Sequence, residues 1–127
     1  MADLTRDRLQ ALDSFLLELN AAAAEVVLPL FRGDHGLEDK GGARGYDPVT
    51  EADRGAEAAV RRRVSERFPD HGFIGEEGGE DRPDAEFVWV VDPIDGTRAF
   101  VAGLPVWTTL IGLRFQGTPV LLSLIHI

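Results

Sequence analysis

Apolar positions along this chain change period from helix-like to strand-like as it is followed from Leu4 to Ile127. From about Leu4 to Phe31, Leu9, Leu12, Phe15, Leu16, Leu19, Ala23, Val26, Val27 and Leu30 recur at steps of three and four. That spacing predicts a helix with one apolar stripe. Pro29 is expected to kink or end it, because proline lacks the N–H and crowds the preceding turn. The glycine-rich, mixed-charge stretch from Gly33 to Tyr46 predicts a surface loop. Thr50, followed three residues later by Asp53, resembles a capping box, so a second helix should begin there and run to about Phe68. Ala56, Ala59, Val60 and Val64 form its stripe, and Arg61, Arg62 and Arg63 read as its solvated side.

The period then shortens. Pro69-Asp70-His71-Gly72 reads as a turn, and Phe73-Ile74-Gly75 opens a strand that delivers Glu76-Glu77 at its end. Residues 78–85 are polar and loop-like. Phe87-Val88-Trp89-Val90-Val91 contains no polar residue and predicts a strand buried on both faces, ending in Asp92-Pro93-Ile94-Asp95-Gly96-Thr97. A further strand is expected from about Val106 to Phe115, then a turn at Gly117 and a last apolar segment from Val120 to Ile127. Helices followed by alternating strands predict an α/β fold.

Composition narrows the function classes. A chain of 127 residues suffices for one buried core, and 44% apolar with 28% charged residues is ordinary for a globular domain. No apolar run reaches the roughly 18 residues a membrane span needs, and no basic segment followed by an apolar run opens the chain. A cytoplasmic location without a membrane partner is the expectation. The absence of cysteine excludes disulfides and thiolate metal sites. A net charge of -9 disfavours nucleic acid and anionic lipid, both of which call for basic patches. Such a protein still binds phosphate where divalent cations invert the local sign.

That turns attention to the carboxylates. Asp92 and Asp95 directly follow an apolar strand, where a charged pair is costly to desolvate without a partner. Magnesium is a fitting partner, since it takes carboxylate, carbonyl and water oxygens. Across a Pro-Ile turn both side chains can face one point, with the Ile94 carbonyl between them. Gly96 permits close backbone approach, and Gly96 and Thr97 could open a short helix whose free N–H groups receive phosphate. By itself Asp-Pro-Ile-Asp-Gly is also a competent tight turn, Asp53 could be only a capping residue, and Glu76-Glu77 an exposed loop. Three acidic clusters, each at an element boundary, favour the metal reading.

At these residues the chain resembles the inositol monophosphatase family, within the larger magnesium- and lithium-sensitive phosphatase group. Three blocks match in order: Asp47-Pro48-Val49-Thr50-Glu51-Ala52-Asp53, Gly75-Glu76-Glu77, and Trp89-Val90-Val91-Asp92-Pro93-Ile94-Asp95-Gly96-Thr97. The resemblance implies the N-terminal part of a layered αβαβα sugar-phosphatase fold, shared with fructose bisphosphatase. It implies magnesium at Glu76, Asp92, Asp95 and the Ile94 carbonyl. Thr97, with Asp53 behind it, would orient the water that attacks phosphorus, and Glu77 would act nearby or on a further metal. Gly96 and Thr97 would hold the phosphate. Lys40 corresponds to the family's mobile-loop lysine. Thr97-Arg98-Ala99-Phe100 with Gly103-Leu104-Pro105-Val106-Trp107 looks most like the histidinol-phosphate phosphatase branch, although Arg98 could equally be a helix-surface residue. Inositol monophosphate and 3'-phosphoadenosine 5'-phosphate are the alternative substrates, and relatives suggest a homodimer.

The family domain is about twice this length, and its second half brings another metal-ligand aspartate. After Asp95 this chain has no acidic residue. Residues 1–121 are therefore expected to be the N-terminal part of such a domain, and 122–127 a non-native tail. The isolated chain is expected to be inactive. His35, His71 and His126 have no partner at ligand spacing, so no role is assigned to them.

Overall fold

The computed structural model of the chain describes residues 4–31, 38–39, 48–49, 51–103 and 107–126; at 38–39, 48–49, 97, 101 and 125–126 the backbone alone is described. Helix α1 (Arg6–Leu30) starts at Thr5, whose hydroxyl accepts the Arg8 N–H at 3.1 Å. That hydroxyl satisfies one of the donors the first turn leaves open. Pro29 sits in the last turn and the helix stops one residue later. Helix α2 (Glu51–Arg67) buries Ala52, Ala56, Val60 and Val64 along one stripe, as the sequence period requires. Thr50 lies outside the described residues. Within the stretch expected to be loop lies β1 (Glu38–Asp39), which pairs antiparallel with β2 (Pro48–Val49) just beyond it.

Five strands form one sheet: β3 (Gly72–Gly75), β4 (Gly79–Asp81), β5 (Phe87–Asp95), β6 (Thr108–Phe115) and β7 (Thr118–His126), in the order β4-β3-β5-β6-β7. β3 and β5 are parallel, and every other pair is antiparallel. The short helix α3 (Thr97–Val101) follows β5 directly. β4 occupies part of the expected 78–85 loop. Gly79 makes the return at φ 73°, which glycine adopts without strain, so a polar segment with no strand signal still pairs with β3.

Register divides the sheet into two faces. Phe73, Trp89, Leu113 and Leu121 stand side by side on one of them. This face packs against α1 and α2 as a continuous core that includes Leu16, Leu19, Val60 and Val64. Phe15 meets Trp89 edge-on with ring centroids 5.5 Å apart, and Asn20 of α1 donates to Ser123 of β7 at 2.6 Å. On the opposite face lie Ile74, Val90, Gly112 and Leu122, one residue along each strand. There Leu122 is 73% exposed and Leu124 58%. Val90 is exposed too, while Val88 on the same face is buried, so β5 is buried on both faces only over its first residues. Its apolar run is continuous, but only one side of it has a helix layer above it.

His71 does have partners. It is buried, stacks on Phe68 at 4.3 Å and on Phe87 at 4.9 Å, and its Nδ1 accepts the Trp89 indole N–H at 3.0 Å. A neutral imidazole that accepts at Nδ1 carries its proton on Nε2. Burial lowers its pKa from 6.5 to about 4; Arg8 adds to the shift, while Asp70 and Glu86 oppose it. Long-range ring packing of this kind leaves no trace in local spacing.

Candidate active site

The acidic segment is built by β5, which does not end at Asp92 but runs on to Asp95. Asp92 pairs with Leu110 and Asp95 with Thr108, so β5 has one more residue than β6 between the two pairs, and the ladder shifts there. Pro93 suits this irregularity, because it cannot donate to a ladder. Its carbonyl accepts the Thr109 hydroxyl at 2.7 Å, which pins the irregular stretch. The two aspartates are thus separated by a bulge rather than a turn. Bulges re-aim side chains, which is what two carboxylates at a three-residue spacing need in order to approach one region.

Burial sorts the members. Ile94 buries its side chain in the core, while Asp95 is exposed and Asp92 is half-buried. Burial pushes the Asp92 carboxyl up from 3.8 to about 6. Glu76, Asp95 and, more weakly, Glu57 push it further in the same direction, and the hydrogen bond from the Ile94 backbone partly offsets them. Glu76 is exposed at the end of β3, in the turn that leads to β4. It lines, with Glu80 and Asp92, a concavity of about 450 Å³ on the open face of the sheet, among Ile74, Val90 and Leu122. Asp53 is buried in the first turn of α2. After β5 the chain turns through Gly96 at φ 97° and ψ 44°, a left-handed conformation that favours glycine, and enters α3. The Gly96 carbonyl accepts the Phe100 N–H at 3.1 Å. Arg98 is exposed on α3.

Glu76, Asp92 and Asp95 are therefore electrostatic neighbours at one end of the two parallel strands. Among the described residues, no group of three His, Asp or Glu side chains is gathered closely enough to hold a metal ion as it stands. The chemistry of the donors nevertheless suits a hard cation: all are oxygens, and the raised Asp92 carboxyl is the condition that a nearby cation relieves. Lys40 and the Thr97 side chain lie outside the described positions.

One residue is not singled out by the sequence motifs. Glu57 of α2 is 2% exposed, and its carboxylate accepts the backbone N–H groups of Glu77, at 3.1 Å, and of Gly78. A signal for it exists: it lies one turn after Asp53, beside Ala56 and Val60 on the buried side of α2, where an acidic residue needs a reason.

The model of the inositol monophosphatase family matches residues 8–126. A chloroplastic bifunctional phosphatase of Arabidopsis thaliana is 38% identical over 95% of this chain and 34% of its own length. A histidinol-phosphatase of Chlorobaculum parvum is 42% identical over 80% of the chain and 38% of its own. The crystal structure of the extragenic suppressor protein suhB from Bartonella henselae superposes with a TM-score of 0.82 at 28% identity, covering 91% of this chain and 45% of that one. The chain spans between a third and a half of the length of these relatives. Among the described residues, no helix is long and apolar enough to cross a membrane.

Proposed function

Since the chain belongs to the inositol monophosphatase family, we propose that it serves the magnesium-dependent hydrolysis of a small phosphate monoester, with L-histidinol phosphate as substrate. The observation that carries this reading is the Asp92 carboxyl, raised to about 6 beside Glu76 and Asp95 at the open end of β3 and β5. A structural pair of aspartates would be expected to find cationic partners. Among the described residues, the charged groups that act on Asp92 are acidic ones instead, which favours a site completed by a cation.

In this reading Glu76, Asp92, Asp95 and the Ile94 carbonyl hold magnesium. Bound divalent ions make water more acidic and neutralise charge on the attacking and leaving oxygens. Asp92 has to be ionised to act as a ligand, so its raised pKa ties binding to pH. Thr97 and Asp53 orient the attacking water, Glu77 supports that end of the site, and backbone N–H groups of Gly96 and Thr97 hold the phosphate. Arg98-Ala99 and the segment from Gly103 to Trp107 support the histidinol phosphate assignment, as does the likeness to a histidinol-phosphatase.

The test is phosphate release by the chain carried through to the family's full length, in magnesium, across three substrates. Histidinol phosphate should exceed inositol 1-phosphate and 3'-phosphoadenosine 5'-phosphate by at least about tenfold in kcat/KM, the least that a discriminating pocket contact supplies. A preference for either of the others would replace the substrate, and release from none would end the phosphatase reading. For the chain taken alone, a second reading, a metal-binding fragment without turnover, rests on the acidic residues it has up to Asp95 and on there being none after it. Equal turnover by the two lengths would dismiss it.

A further inference from the structure

We infer that Glu57 is a positioning residue, which sets the turn presenting Glu76 and Glu77 to the site; this rests on the phosphatase reading above. The inference starts from an unfavourable arrangement. A carboxylate on the core side of a helix loses its water and needs hydrogen bonds in exchange. Glu57 takes them from the turn between β3 and β4: Oε1 accepts the Glu77 N–H and Oε2 accepts the Gly78 N–H. Bonds from neutral donors to an ionised acceptor are stronger than those between neutral groups.

Arg61 completes the grip one helical turn later. Its Nη2 lies 3.7 Å from Glu57 Oε2, donates to the Gly79 carbonyl at 2.8 Å, and its guanidinium sits over the Phe73 ring, 4.4 Å from its centroid. So α2 holds the turn by a carboxylate on two N–H groups and by a guanidinium on the next carbonyl. Gly75 on the near side of Glu76 is fixed by its ladder pairing with Val91. Glu76 is therefore held from both sides, although its own side chain is exposed.

The glycines around it fit the same account. A Cβ on Gly75 would run into the Glu57 carboxylate, and one on Gly78 would meet first Nη2 of Arg61, at 2.8 Å, and then Oε2 of Glu57, at 3.0 Å. The segment Gly75-Glu76-Glu77-Gly78 thus has small residues where the Glu57 side chain arrives and acidic ones between. Asp53, one turn earlier on the same helix, belongs to the proposed site as well. Glu57 thereby ties the helix carrying Asp53 to the turn carrying Glu76. With both oxygens engaged by the turn, its role is to place others.

The experiment uses the protein at the family's full length and two variants, Glu57→Gln and Gly78→Ala. The first puts an amide NH2 where one of the two N–H groups must be received, so one acceptor is lost at unchanged size. The second crowds the Arg61 guanidinium and the carboxylate together where they hold the turn, while leaving Glu57 on the helix. Three readouts are taken: the amide proton shifts of Glu77 and Gly78 without metal, the magnesium Kd by titration, and kcat against KM at saturating magnesium. Both variants should move the two amide signals upfield and weaken magnesium about tenfold, the low end for partners that orient metal ligands. KM for the substrate should stay within about twofold, because a residue that acts through the metal ligands leaves the phosphate contacts in place. Folded variants that keep the wild-type magnesium Kd would overturn the inference, whatever happens to their melting temperature. A wild type that binds magnesium but releases phosphate from no monoester would sink the phosphatase reading alone, because the amide and titration arms still decide the role of Glu57.

Discussion

The two faces of the sheet are made by the same strands yet serve opposite ends. On the helix-covered face, Phe73, Trp89, Val91, Ile111 and Leu113 are all buried. One residue out of step, Ile74, Val90, Asp92, Leu110 and Leu122 line a concavity on the open face. β5 shows the contrast within three residues: Val91 seals the core, while its neighbours Val90 and Asp92 face the concavity. Burying a carboxylate without partners is costly: Asp92 stands half-buried beside the concavity, whereas Glu57, on the covered side, has the N–H groups of the β3–β4 turn as its donors.

That division makes unequal demands on neighbouring residues, and the largest expected effect tests it directly. Trp89→Ala should cost about 3–5 kcal/mol, the range for deleting a large buried ring. Val90→Ala, next in the chain on the open face, should cost under about 1 kcal/mol, because its side chain is already partly in water. Urea midpoints with a common m-value measure both. Comparable losses would mean that the faces do not differ as described.

A second test concerns how the covered face responds to acid. His71 is held neutral in the fold, with a pKa near 4 against 6.5 when unfolded. The unfolded chain then binds the extra proton first, so this contribution is complete above pH 6.5 and is lost as pH falls towards 4. It should amount to about 2 kcal/mol, after allowance for partial solvent access at the ring. His71→Gln should flatten the stability profile between pH 4 and 6.5. A variant profile parallel to wild type would remove His71 from the account.

The open face should respond in the opposite sense. The Asp92 pKa is raised, so ionising Asp92 costs stability as pH rises from 3.8 through about 6. Without metal at about pH 7.5, Asp92→Asn should therefore raise Tm by about 3–5 °C, corresponding to roughly 1 kcal/mol for a domain of this size. A lower Tm would show that the carboxylate is structural. This gain from removing a proposed ligand sharpens the contrast, since no substitution of Trp89 is expected to stabilise.

Periodicity makes α1, α2 and the central strands legible, because helix and strand periods dominate where one face is buried. The acidic segments are legible from residue type and position at strand ends. What escapes depends on partners far away in sequence. Val90 cannot be told from Val91 without knowing which face carries the helices. β4, with the residues Gly-Glu-Asp, is a strand only because β3 offers it an edge. His71 looks idle in the sequence because Phe68, Phe87 and Trp89 meet around it only in the folded chain. Glu57 reads as one more charge on a charged helix, although its position on the apolar stripe marks it.

In the proposed function, the carboxylates at the open end of β3 and β5 form a magnesium site. Calorimetric titration of magnesium into the full-length protein at about pH 7.5, where Asp92 is ionised, beside Asp92→Asn, tests it most directly. A saturable heat is expected in the wild type and almost none in the variant, with the fold of the variant intact by its thermal transition. Equal heats and equal Kd in the two proteins would contradict it.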